Sequence, residues 1–108
     1  MTDEPTFERF DRDGLRTLAV RGEMDLAFKD AFHDEMTQLL HEAHSPVTVD
    51  LSGVTFIDSS GLRVLSSSRE IGQSIDVEIV LQGPSARVLR VLQIVGLDQA
   101  FEIRDVPG

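Results

Sequence analysis

The sequence predicts one α/β domain built on a mixed sheet of about five strands, with an antiparallel hairpin at its N-terminal edge, parallel βαβ units after it, and three to four helices. Three observations predict this. Apolar residues alternate over five short runs, and they recur at three- and four-residue intervals over three longer ones. After residue 46 the two patterns take turns, as in parallel strands joined by right-handed crossovers. A length of 108 residues with 41% hydrophobic content fits a single domain spanning residues 1–108, with its core over about residues 6–105.

The elements follow in order. Thr6 to Asp11 and Leu15 to Arg21 are rich in Phe, Leu and Val and are separated by Arg12, Asp13 and Gly14, so they are expected to form a hairpin. From Asp25 the period changes. Phe28, Phe32, Met36, Leu39, Leu40 and Ala43 recur at helical spacing, with Asp25 as the N-cap and Pro46 barring continuation past Ser45. Val47, Val49 and Leu51 alternate with Thr48 and Asp50 as a strand. A loop is expected from Ser52 to Asp58, then a helix from Ser59 to Gly72, with Gly72 as its stop. Val77, Ile79 and Leu81 form the next strand, and a helix opens at Pro84 with Val88, Leu89, Val91, Leu92 and Val95 as its apolar set. Gly96 ends it, and Phe101 and Ile103 close with a short strand.

Charge narrows the function. Nineteen acidic residues against ten basic ones give a net charge of −9, which repels phosphate backbones and anionic headgroups, so neither nucleic acid nor a lipid surface is an expected partner. No apolar run approaches a membrane span and the amino end is acidic, so direct membrane insertion is not expected and a cytoplasmic location is. The absence of cysteine excludes disulfides, thiolate metal sites and a cysteine nucleophile.

The most informative segment runs from Asp50 to Leu65, where a strand and loop lead into a helix whose first turn carries Asp58, Ser59, Ser60 and Gly61. A hydroxyl at a helix start is exposed, and the free amides and macrodipole there tolerate an added anion such as a phosphate. Two readings stay open on the residues alone. Ser59 or Ser60 can simply cap the helix, which spacing favours, or Ser59 can be a phosphoacceptor.

Three stretches in order resemble the STAS domain family and, within it, the single-domain bacterial anti-anti-sigma factors (anti-sigma factor antagonists). They are Gly22-Glu23-Met24-Asp25; Val47 to Ser52 leading to Phe56-Ile57-Asp58-Ser59-Ser60-Gly61-Leu62; and Val88 to Leu92 followed by Val95-Gly96-Leu97 and Phe101-Glu102-Ile103. The resemblance implies the STAS (anti-anti-sigma-like) fold and a non-enzymatic switch without a cofactor. It implies that the unmodified chain captures an anti-sigma factor that is also a serine kinase, freeing the sigma factor. Phosphorylation of Ser59 by that kinase abolishes capture, and a PP2C-type phosphatase resets the switch. Ser60 becomes a packing or capping residue, and Asp58 orients the serine or assists phosphotransfer. Glu23, Asp25, Asp58, Ser59, Ser60, Gly61 and Arg63 are the expected contact residues, with Glu23 and Asp25 in a loop near Ser59. Family members often carry glycine where this chain has Arg63, a cation available to a phosphate on Ser59 or to an acidic partner, or else a solvated surface residue.

The rival readings are weaker. Neither serine lies in G-x-S-x-G, no glycine-rich loop precedes Lys-Ser or Lys-Thr, and His41 and His44 share a helix face without the further ligands zinc requires. Solvated surface histidines are the better reading of His33, His41 and His44. The serious alternative is a STAS scaffold or accessory subunit of a stress-signalling or lipid-transport complex. Charged Glu8 and Arg9 on the edge strand favour a monomer when free.

Overall fold

The computed structural model describes residues 6–43 and 46–105. In chain order it contains β1 (Thr6–Arg12), β2 (Leu15–Met24), a 3-10 turn (Leu26–Phe28), α1 (Lys29–Glu42), β3 (Val47–Ile57), α2 (Ser59–Ser74), β4 (Ile79–Gln82), α3 (Ala86–Ile94), α4 (Leu97–Ala100) and β5 (Glu102–Arg104). The five strands lie side by side in sequence order, β1 antiparallel to β2 and the rest parallel. The expected mixed sheet with its edge hairpin is therefore present. Among the described residues no helix is long and apolar enough to cross a membrane.

The register sorts the sheet into two unlike faces. On one face Leu18, Val49, Leu81 and Ile103 stand in a row across four strands. This row belongs to a single apolar core with Phe32, Met36, Leu39 and Leu40 of α1, Val64 and Leu65 of α2, and Val88 and Leu92 of α3. Burying each such side chain contributes about 1.5–3 kcal/mol, so this face holds the helices to the sheet. On the other face Ala19, Asp50, Gln82 and Arg104 form the equivalent row. Arg12 reaches Asp50 Oδ2 at 3.4 Å and Gln82 Oε1 at 3.5 Å there, so the buried carboxylate has a cationic donor.

Several boundaries differ from the sequence reading, each for a local reason. The hairpin turns on two residues, Asp13 and Gly14, both at positive φ as a type I′ turn requires. Of the expected loop from Ser52 to Asp58, all but Asp58 is instead the second half of β3, paired with Arg21 to Met24 of β2 through two irregularities that break the alternation of side chains. Gly53 permits this pairing, because a Cβ there would lie 2.6 Å from Arg21 Cγ. Gly72 does not stop α2. It lies inside the helix, buried, where a Cβ would stand 2.5 Å from the Val77 carbonyl, and Asp76 at φ 61° follows the helix end. The next strand starts two residues later than expected, at Ile79. Pro84 precedes the cap of α3, which is Ser85, its Oγ accepting from Val88 N at 3.2 Å. Gly96, at φ 81°, separates α3 from α4.

Candidate functional site

The site forms where β2 and β3 end together and α2 begins. Phe56 and Ile57 of β3 lie opposite Glu23 and Met24 of β2, and the Asp58 amide donates to the Met24 carbonyl at 3.2 Å. That bond fixes where the chain leaves the sheet. Asp58 is extended, and its Oδ1 accepts from Ser60 N at 2.8 Å and Gly61 N at 3.3 Å, while its own carbonyl accepts from Leu62 N. The helix is thus capped by Asp58 and by neither serine, so the capping reading of Ser59 and Ser60 is corrected. An acidic cap also complements the positive end of the helix.

Ser59, the first helical residue, is consequently left with an exposed side chain, and among the described residues no hydrogen bond engages its hydroxyl. Ser60 is half-buried beside it. Gly61, expected at the contact surface, is instead buried: a Cβ would lie 2.7 Å from the Met24 carbonyl and 2.8 Å from Ile57 Cγ1. Its role is to let α2 press against the end of β2, which a side chain would prevent.

The acidic residues expected nearby sit on either side of Met24. Glu23 is an exposed residue of β2, not part of a loop, and Asp25 is half-buried at the following turn. Asp25 accepts from Ala27 N at 3.1 Å, capping the 3-10 turn and not α1 itself. That turn displaces the start of α1 to Lys29 and brings two unanticipated side chains into the site. A depression of about 160 Å³ beside the serine is lined by Leu26, Lys29, Ser59, Ser60 and Arg63. A second depression is lined by Ser59, Leu62, Arg63, Ser66, Val95 and Leu97.

The surroundings are apolar and open. Leu26 is 68% exposed, Ile94 74% and Val95 51%, so the end of α3 presents apolar side chains to solvent, among them Val95, which the helical pattern had assigned to the core. Phe56, two residues before the cap, is also exposed. Leu26 carried a signal in the sequence, because it falls outside the Phe28–Phe32–Met36 spacing and so cannot face the core. Lys29 carried none, since a lysine between apolar positions reads as an ordinary solvated residue.

His33 and His41 are exposed on α1, and His44 lies outside the described residues, as does Ser45. Among the described residues no group of three or more His, Asp or Glu side chains converges as metal ligands. The chemical content of the site is therefore an accessible hydroxyl at a helix start, two cations beside it, and an apolar margin.

Residues 9–105 match the family model described as "Mlab, STAS domain". The chain is 31% identical over 102 residues to the anti-sigma-F factor antagonist RsfB of Mycobacterium tuberculosis, covering 94% of this chain and 82% of that protein. The crystal structure of an anti-sigma factor antagonist from Mycobacterium paratuberculosis superposes with a TM-score of 0.79 at 28% identity, covering 96% of this chain and 88% of that one. The phosphorylated form of the Bacillus cell fate determinant SpoIIAA is similar in fold alone, with a TM-score of 0.68 at 19% identity over 94% of this chain and 92% of that one.

Proposed function

This chain belongs to the STAS domain family, and from that premise we propose that it is an anti-sigma factor antagonist whose unmodified form binds a kinase-type anti-sigma factor and releases the sigma factor. Phosphorylation of Ser59 ends that binding, and a PP2C-type phosphatase restores it. The names of the relatives support the antagonist role. One observation supports the switch residue: Asp58 caps α2, which leaves the Ser59 hydroxyl exposed and uncommitted at the first helical position.

The partner surface in this proposal consists of Glu23, Asp25, Ser59, Ser60 and Arg63 together with the exposed Leu26, Ile94 and Val95, while Asp58 and Gly61 hold it in shape. Apolar side chains that lose water on docking supply affinity, and the polar ones set register. In the modification step the Ser59 oxygen attacks the γ-phosphorus of ATP, its proton departs to a base or solvent, and ADP leaves. The chain is the substrate and supplies no catalyst.

The added group carries roughly −1.5 to −2 charges into the centre of that surface. A penalty of about 3–4 kcal/mol for desolvating it against a partner suited to a neutral hydroxyl weakens binding some hundreds-fold. No refolding is needed. The chain acts in this scheme as a monomer in the cytoplasm, where anti-sigma factors meet the transcription machinery.

The test is to incubate the chain with its cognate kinase-type anti-sigma factor and ATP and record the intact mass. Gain of one phosphate that disappears in Ser59→Ala is the expected result. Failure of the cognate kinase to modify the chain would overturn the switch and leave a STAS scaffold or accessory subunit.

A further inference from the structure

We infer that Lys29 and Arg63 form a receptor, built into the free chain, for a phosphate carried on Ser59, so that the modified form is held by its own cations. This inference rests on Ser59 as the modified residue and adds what its phosphate would meet.

Three observations converge. Lys29, Arg63 and Ser59 line the same depression, with Ser60 and Leu26 completing it. Arg63 follows Ser59 by four residues on α2, so the two share a helix face, and helical side chains lean towards the N-terminus, which brings the guanidinium back over the serine. Lys29 approaches from a different element, the first residue of α1, placed there by the 3-10 turn that Asp25 caps.

The charges of these two residues are uncommitted. Among the described residues, ion pairs engage Arg9, Arg12, Arg16, His33 and Arg104, and Lys29 and Arg63, like Arg21, Arg69, Arg87 and Arg90, make none. Asp30 and His33 line the adjoining depression on the far side, together with Lys29 and Arg63. Asp30 shares that depression with the two cations, yet forms no ion pair with either.

A phosphate dianion on Ser59 would gain charge-assisted hydrogen bonds from both, the arginine being suited to bridging two of its oxygens. The same pairing would withdraw both cations from any partner that uses them in the unmodified form. Modification would then remove attraction as well as add repulsion.

The experiment installs phosphoserine at position 59 of the full chain by genetic encoding, which needs no kinase, and follows the second ionisation of the phosphate by phosphorus NMR. A phosphate monoester titrates near pH 6. In Arg63→Gln and Lys29→Gln the midpoint should rise above that of the unsubstituted chain by roughly half a unit to one unit, about 3- to 10-fold in the dissociation constant, and by more in the double variant. Both substitutions are at exposed positions, and thermal melting verifies that each variant is folded. Superimposable titrations of all four proteins overturn the receptor while leaving the switch untouched. Equal binding of the anti-sigma factor by phosphorylated and unmodified chains sinks the switch instead, without altering the titrations.

Discussion

Replacing Asp58 separates the architecture of the site from its chemistry. In Asp58→Ala the amides of Ser60 and Gly61 lose the acceptor they share. Loss of an N-cap costs about 1 kcal/mol, within a range of 0.5–2. Removing a carboxylate from the positive end of a helix adds about 0.3–1 kcal/mol. The sum, about 0.8–3 kcal/mol, corresponds to a fall in melting temperature of roughly 3–13 °C for a domain of this size. Asp58→Asn retains the acceptor and forfeits only the charge, so its loss is about 0.3–1 kcal/mol. Urea denaturation of both variants, with unchanged m-values, measures these differences. The two should then be compared as kinase substrates at a temperature where each is folded. Because Asp58 holds backbone amides and makes no bond to the Ser59 hydroxyl, Asp58→Asn should be phosphorylated within a few-fold of the unsubstituted rate. A variant that is as stable as expected yet not modified would refute this reasoning and assign the carboxylate a part in phosphotransfer.

The remaining predictions concern packing and docking. Gly61→Ala places a methyl group 2.7 Å from a backbone carbonyl that cannot yield cheaply, and the overpacking cost of about 1–3 kcal/mol exceeds the helix-propensity gain of up to about 1, so denaturation should show a net loss of about 1–2 kcal/mol. Ile94→Ser and Leu26→Ser, at exposed positions, should leave stability within about 0.5 kcal/mol yet weaken capture of the anti-sigma factor by tenfold or more in surface plasmon resonance; unchanged affinity in both would remove the apolar margin from the docking surface. Arg12→Leu strips the cation from the largely buried Asp50, and because the arginine side chain is itself 37% exposed the expected loss is about 1–2 kcal/mol, below that of a fully buried pair, read from the denaturation midpoint.

Much of this molecule is written in its periodicities. The alternation of Val47, Val49 and Leu51 and the helical spacing of Phe32, Met36 and Leu40 correspond to side chains that meet in one core. Legibility fails where tertiary pairing overrides local pattern. The second half of β3 reads as a loop because its register against β2 shifts twice, so buried Val54 and Ile57 are three residues apart and not two. Gly72 reads as a stop because glycine so often ends helices, whereas here the Val77 carbonyl demands the missing side chain. At the site, Asp58-Ser59-Ser60-Gly61 is legible as a motif, but the division of labour within it is not. Either serine could have been the cap, and only the two bonds that the Ser60 and Gly61 amides donate to Asp58 Oδ1 release Ser59. The placement of Lys29 beside that serine depends on a single turn of 3-10 helix that no spacing announces.

Titration calorimetry of the anti-sigma factor against the unmodified chain and against the chain carrying phosphoserine at position 59 addresses the central claim without intermediaries. The unmodified protein should bind, and the phosphorylated one should bind some hundreds-fold more weakly, the equivalent of about 3–4 kcal/mol. Two isotherms of equal affinity would contradict the account.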